Sequence, residues 1–248
     1  KRELDYLDGG KATVYEHLKQ AIVWFERKDN YGANGLPRIH HADWNDALNI
    51  PDDKAESVLM AMLICKAYDD MIELASYLND LPYAETLKKA KRKLAKITNE
   101  KAFNGDYYVR AFSKFGVVGD KSNENGGKIY VNPQSWSILS GVCPQERLDK
   151  VIAAMDSTET DEGIPMCMPP YKTYDETVGR MSGMLPGVYE NGGIYNHAGC
   201  FKVMADCRLG RGDNAVNALK KIAPDGKFNP SSVTTTEPYV FTNCYLKH

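Results

Sequence analysis

The chain has 248 residues, 43% hydrophobic and 26% charged, with a formal net charge of -2; this is the composition of a globular protein and excludes general disorder. Lys and Arg are scattered without a basic stripe or polybasic cluster, which argues against nucleic acid or an anionic membrane surface as a partner. No apolar run approaches the ~20 residues that span a bilayer, no signal peptide is visible, and Lys1 in place of an initiator Met reads as a chain trimmed or cut from something longer.

In chain order, residues 12–28 place Val14, Leu18, Ile22 and Phe25 at spacings of three and four, which predicts an amphipathic helix. Residues 55–79 repeat the pattern through Val58, Leu59, Met62, Leu63, Met71, Ile72 and Ala75, and 84–97 give a more basic helix. The turn signal Asn104-Gly105-Asp106 precedes a β-like patch at 107–118. Short helices are predicted at 134–141 and 145–156, and further ones at 198–209, 212–222 and 238–246. Long loops rich in Gly, Asn and Pro intervene at 29–54, 119–133, 157–197 and 223–237, and loops of that length usually carry function. Helix pairs joined by alternating long and short loops predict a helical toroid with its site at one rim. Glu-Asn-Gly-Gly occurs at 124 and again at 190, a hint of an internal repeat. The six cysteines contain no CxxC pair, and Cys200 and Cys207 read as buried thiols on one helix face rather than as a zinc site or a disulfide. A reducing, cytoplasmic compartment is therefore expected.

The richest chemistry lies in Gly35-Leu36-Pro37-Arg38-Ile39-His40-His41-Ala42-Asp43-Trp44-Asn45-Asp46. A Trp face binds the apolar face of a sugar ring while Asp and Asn bond its hydroxyls. A carboxyl group beside the indole would be desolvated, its pKa raised, and so kept protonated as a general acid. The alternatives are a helix-capping loop with Trp44 in the core, or a metal held by His40, His41 and the aspartates. A second cluster, Tyr189-Glu190-Asn191-Gly192-Gly193-Ile194-Tyr195-Asn196-His197, puts a histidine at a helix start, where free N–H groups favour an anion. A tight turn is the plainer reading. In Val131-Asn132-Pro133-Gln134-Ser135-Trp136, Pro opens a helix and Gln134 is either a substrate contact or a core and cap residue. Gly210-Arg211-Gly212-Asp213 reads as a helix stop followed by an Asp-capped start. Thr234-Thr235-Thr236-Glu237-Pro238-Tyr239 lines a pocket rim or caps a last helix.

Taken in order, Asp43-Trp44-Asn45-Asp46, Asn132-Pro133-Gln134-Ser135-Trp136, Glu190 to His197, Leu209-Gly210-Arg211-Gly212-Asp213 and Glu237-Pro238-Tyr239 form a set that resembles the family 94 glycoside phosphorylases. The early Leu7-Asp8-Gly9-Gly10 with Tyr15-Glu16-His17 fits the same pattern. The resemblance implies an all-α, (α/α)6 six-hairpin barrel preceded by a β-sandwich, with residues 1–248 as part of one such catalytic domain. It implies inverting phosphorolysis of a β-linked disaccharide to an α-sugar 1-phosphate and a free sugar. Inorganic phosphate would be co-substrate, with no cofactor and no metal. Asp46 would be the general acid, Trp44, Asp43, Glu190 and Gln134 would bind substrate, and His197 would contact phosphate. Because phosphate is already an anionic nucleophile, one protonated carboxyl group and an anion site suffice, where an inverting hydrolase needs an acid and a base. The partners implied are the disaccharide and phosphate, with a homodimer allowed for the complete enzyme. Among cellobiose, chitobiose, laminaribiose and longer β-glucans, the interval between Asp46 and His197 is nearer the chitobiose type.

Family members are longer, and neither their β-sandwich, their upstream phosphate-contacting arginine nor the phosphate loop after Glu-Pro-Tyr is found here. The expectation is an internal piece that forms an incomplete barrel with exposed apolar edges and is inactive or nearly so alone. Two alternatives stand beside phosphorolysis. One is an inverting glycosidase on the same barrel, with Glu190 positioning water. The other is a non-catalytic carbohydrate-binding remnant.

Overall fold

The computed structural model describes residues 2–6, 9–224 and 229–245, apart from the side chain of Val233. Leu7 and Asp8 of the early motif lie outside the described residues. A hairpin of β1 (Glu3–Asp5) and β2 (Lys11–Thr13) leads into α1 (Val14–Phe25). That helix starts on a reciprocal cap, in which the Thr13 hydroxyl accepts from the Glu16 amide and the Glu16 carboxylate accepts from the Thr13 amide. The long helices α2 (Val58–Tyr77) and α3 (Leu81–Ala102) form a hairpin whose turn places Asn79 at φ 60. Asp80 in that turn accepts from Tyr15 Oη and Lys19 Nζ, both at 2.9 Å, which ties α1 to it.

Two further hairpins follow: α4 (Val131–Leu139) with α5 (Leu148–Asp156), and α6 (Asn196–Arg208) with α7 (Gly212–Ile222). Helix α2 packs on α4 and α4 on α6, while α3, α5 and α7 each pack on the preceding helix of their own pair. The contact layer is apolar, built from residues such as Met62, Ile64, Ile138, Met155, Ile164 and Ile222. Burial of that surface is what orders helices whose own propensity would not.

Each of α2, α4 and α6 begins directly after a short strand, and each strand pairs with a strand that comes later in the chain. β3 (Glu56–Ser57) pairs with β4 (Ala111–Ser113), β6 (Ile129–Tyr130) with β7 (Cys167–Met168), and β8 (Ile194–Tyr195) with β9 (Cys244–Tyr245), all antiparallel. The repeated Glu-Asn-Gly-Gly is part of this repeat: both copies lead into an Ile-Tyr strand and then into a helix. Both copies also hold the same segment. Asn125 accepts from the Thr173 amide at 3.1 Å and donates to its carbonyl at 2.9 Å, and Asn191 does the same to Tyr171 at 2.6 and 3.0 Å. A β-carbon on Gly126 would lie 2.3 Å from the Pro170 carbonyl oxygen, and one on Gly192 would lie 2.6 Å from the Pro170 ring. Glycine is therefore required on both sides of that segment.

Several expectations change. The β-like patch resolves into a hairpin of β4 with β5 (Gly116–Val118). The helix expected over 238–246 is absent from the described residues of that range, where Tyr239 has φ 66 and β9 pairs with β8 instead; a short α8 (Ser231–Thr234) precedes it. Cys200 and Cys207 do share a helix, but both are exposed rather than buried. At Gly210-Arg211-Gly212-Asp213, Gly210 ends the turn at φ 72, yet Arg211 holds the cap position of α7 and Asp213 lies in its first turn.

Arg211 belongs to a charge network that joins α5, α6 and α7. Lys202 Nζ, fully buried, lies 2.9 Å from Asp206, 2.7 Å from Glu159 and 3.3 Å from Asp156. Arg211 reaches Asp156 at 2.6 Å and Asp206 at 2.7 Å, and Lys221 reaches Glu159 at 2.7 Å. Burial pulls the Lys202 ammonium down, but its bonds to Glu159 and Asp206 outweigh that and leave its pKa raised. Its stabilising contribution is therefore complete below the unfolded value near 10.4 and fades only at more alkaline pH. Lys202→Met leaves three carboxylates to share Arg211 and Lys221 and is expected to cost about 1.5–3 kcal/mol, the scale of lost hydrogen bonds to charged groups. Urea denaturation at neutral pH measures this, and a loss under about 1 kcal/mol, the scale of an exposed pair, would show the network to be idle.

Candidate active site

The long loops before α2, α4 and α6 all end at the N-termini of those helices, so the residues they carry converge on one end of the helical layer. A second core, separate from the one between the helices, anchors them. Ile39, Ala47, Leu48 and Ile50 from the first loop pack with Ala111, Val118 and Tyr130 from the second and with Tyr171, Val178 and Met181 from the third.

Within that frame the acidic motif alternates in direction. Asp43 and Asn45 point inward to Arg110, whose side chain is fully buried. Arg110 Nη2 donates to Asp43 Oδ1 at 2.5 Å and to Asn45 Oδ1 at 2.6 Å, and Nε donates to Asn45 Oδ1 at 3.2 Å. The cap residue of α2, Ser57, donates to Asp43 Oδ2 at 2.5 Å and accepts from the Met60 amide at 2.9 Å. Burial pushes the Asp43 carboxyl up, but the Arg110 charge and the bonds from Arg110, Ser57 and the Asn45 amide hold it below its ordinary value. Asn45 then turns its other end outward: Nδ2 donates to Glu190 Oε2 at 3.1 Å. An amide is needed there, because Arg110 can only donate and the Glu190 carboxylate can only accept. The Ala47 amide adds a donor to Glu190 at 3.3 Å. Arg110 is held close by Gly119 (φ +79), where a β-carbon would sit 2.7 Å from that of Arg110.

Asp46, between these inward residues, projects the other way. It is exposed, and together with Glu190, Tyr189, Tyr195, Tyr174, Arg180 and Met184 it lines a cavity of about 580 Å³. Among the described residues its carboxylate has no hydrogen-bonding or ion-pair partner. Glu190 is buried, and that burial raises its pKa. The bonds from Asn45 and Ala47 and the Arg110 charge oppose the rise, while the nearby Asp46 adds to it. Tyr189 reaches the cavity from a left-handed φ of 47, a conformation that costs a non-glycine residue energy. Tyr189 also borders an adjoining cavity of about 420 Å³ with Thr234 and Thr235, so the threonine run lines a rim.

His197 is exposed in the first turn of α6, and its ring lies edge-on to Trp44 at 5.1 Å and tilted to Phe201 at 4.7 Å. Trp44 also meets Tyr195 at 5.5 Å. The indole therefore joins the loop of Asp46 to the start of α6 from behind, and it is not among the residues that line the cavity.

Three expectations are corrected. Asp43 is not a free sugar ligand, since its side chain is fully buried against Arg110. Gln134 is not in the cavity either: it is buried in α4, where it accepts from the Tyr108 amide at 3.0 Å and donates to the Tyr108 carbonyl at 2.7 Å. Trp44 does not line the cavity that Asp46 borders, and the carboxyl group there that burial raises is that of Glu190. Sequence reading missed Arg110 and Arg180. A lone Arg in a β-like run carries no motif signal, and Arg180 lies in a loop with no regular period. Among the described residues no group of three His, Cys, Asp or Glu side chains is placed to hold a metal ion.

The relay makes a stability prediction. Arg110→Met leaves Asp43 buried without its partner and is expected to cost about 3–5 kcal/mol. Adding Asp43→Leu to that variant restores part of the loss. Chemical denaturation of the single and double variants measures this, and a double variant no more stable than the single one would contradict it.

The family model of the glycosyl hydrolase 94 superfamily catalytic domain matches residues 1–246. The chain is 35% identical over 250 residues to solabiose phosphorylase of Paenibacillus borealis, covering 99% of this chain and 32% of that protein. It is 34% identical to 3-O-beta-D-glucopyranosyl-beta-D-glucuronide phosphorylase of the same organism, covering 95% and 31%. It is 27% identical to N,N'-diacetylchitobiose phosphorylase of Vibrio proteolyticus, covering 96% and 30%. The chain thus spans about a third of the length of these curated relatives. Among solved structures, a sialidase superposes with a TM-score of 0.62 at 11% identity, covering 87% of this chain and 20% of that one. A GH78 family rhamnosidase of Bacillus sp. GL1 superposes with a TM-score of 0.57 at 15% identity, covering 94% and 22%. These two share the fold alone. The chain belongs to the glycosyl hydrolase 94 superfamily and lies within that family's catalytic domain.

Proposed function

We propose that the complete protein carries out inverting phosphorolysis of a β-linked disaccharide, and that this chain carries its general acid, Asp46. The observation that supports the reading is a carboxyl group without a partner among the described residues, bordering a sugar-sized cavity that Glu190 also lines, in a chain of this family. The three side-by-side helical hairpins fit one part of an (α/α)6 barrel, to which residues 1–248 would all belong.

In this reading Asp46 protonates the glycosidic oxygen as the bond breaks. Glu190, oriented by Asn45 and the Ala47 amide, accepts hydroxyl hydrogens of the sugar. Phosphate attacks the other face of the donor ring, held by His197 in the first turn of α6. Trp44 serves this arrangement by packing His197 and Tyr195 against the loop of the acid. No base is needed, because the nucleophile is already an anion. Relatives named for solabiose and for a glucosyl glucuronide share more identity with this chain than a chitobiose phosphorylase does, so the chitobiose preference is not carried forward.

In the complete enzyme, Asp46→Asn is expected to lower phosphorolysis about 10²–10⁴-fold, the scale of a lost general acid. Sugar 1-phosphate release from a panel of β-disaccharides measures it. Turnover that persists in Asp46→Asn would remove Asp46 from the mechanism. Sugar release undiminished in phosphate-free buffer would replace phosphorolysis with hydrolysis.

A further inference from the structure

Arg180 is the cationic side chain among the residues that line the Asp46 cavity. It is exposed, and among the described residues no hydrogen bond or ion pair engages its guanidinium, although Asp46 and Glu190 border the same space. Its backbone, by contrast, is fixed. Arg180 opens a short 3-10 turn, Arg180–Gly183. Gly179 before it has φ +88, and a β-carbon there would meet the Asn49 carbonyl oxygen at 2.4 Å. The Met181 amide donates to the Ala47 carbonyl at 2.8 Å, and Ser182 Oγ donates to the Gly179 carbonyl at 2.8 Å. Met181 is buried in the second core beside Ala47 and Leu48. The turn that carries Arg180 is therefore built onto the loop that carries Asp46, as one rigid wall.

That attachment decides which part of a substrate Arg180 meets. A general acid gives its proton to the oxygen that leaves with the acceptor sugar, so the wall that carries the acid borders that sugar. Phosphate must approach the opposite face of the donor ring. A guanidinium matches a carboxylate with two parallel N–H bonds, a geometry that a hydroxyl pair reproduces less well.

Resting on the phosphorolysis reading, we infer that Arg180 recognises a carboxylate on the leaving sugar, so that the preferred acceptor is a sugar acid, either uronic or aldonic. The cavity already holds two carboxyl groups, Asp46 and Glu190, and an acidic sugar is admitted because Arg180 offsets their charge on the acceptor side.

The test is the synthetic reaction of the complete enzyme, with α-glucose 1-phosphate as donor and D-glucuronate, D-gluconate or D-glucose as acceptor. The wild type is expected to favour a sugar acid over glucose in kcat/KM. Arg180→Met is expected to cut that ratio about 10–100-fold, the loss of one charge-assisted pair, mainly through the KM of the acid; Arg180→Lys should keep part of the preference. A wild type that favours glucose, or a ratio that Arg180→Met leaves in place, overturns the inference. So does a rise in the KM of phosphate or the sugar 1-phosphate in place of the acceptor, which would assign Arg180 to phosphate. Absence of phosphate-dependent turnover with every acceptor would instead sink phosphorolysis. Calorimetric binding of D-glucuronate against D-glucose then reads Arg180 independently: loss of a preference in Arg180→Met supports the role, and equal binding by wild type and variant overturns it.

Discussion

A buried guanidinium carries five N–H donors and no acceptor, so the chain around it must bring oxygen atoms to it or pay heavily in desolvation. Arg110 imposes that requirement here. Asp43 supplies charge, Asn45 supplies an amide oxygen, and Ser57, the cap of α2, closes the set. Since Asn45 passes the constraint on to Glu190, three loops and a helix start are held by one run of polar contacts. With residues 43 and 45 locked inward, Asp46 has the cavity as its direction. Its freedom from partners is thus a consequence of how its neighbours are bound.

The helical repeat explains why these loops meet at all. Short strand pairs link the start of each of α2, α4 and α6 to a later loop, so successive long loops are brought to the same end of the layer. Side chains that must face each other are separated by more than a hundred residues in sequence, as Asn45 and Glu190 are. The scaffold supplies rigidity through its apolar core and the Lys202 network, and leaves the loops to carry chemistry.

Much of this was legible in the sequence. Val14, Leu18 and Ile22, and Val58 through Ala75, announced their helices because apolar spacing reports directly on a buried face. The long loops pointed to the candidate site and the doubled Glu-Asn-Gly-Gly to the repeat. What failed to show was direction. Asp43 and Asp46 look alike in sequence, yet one is a buried structural anion and the other borders the cavity, and only a partner at position 110 separates them. Gln134 looked polar enough to meet substrate, but its amide replaces backbone partners for Tyr108 inside the fold. Cys200 and Cys207 lie on a common helix, and periodicity cannot say whether that face turns inward. The segment after Pro238 has apolar residues enough for a helix but is recruited into a strand pair by Ile194 and Tyr195, a long-range contact with no local signal.

The most direct measurement is a crystal structure of the complete enzyme with a β-disaccharide and an anion in place of phosphate. The account predicts Asp46 Oδ within about 2.6–3.2 Å of the glycosidic oxygen, Glu190 on a sugar hydroxyl, and Asn45 still bridging Arg110 to Glu190. A sugar bound away from Asp46 and Glu190, or an Asp46 side chain turned from the cavity with the relay broken, would contradict it.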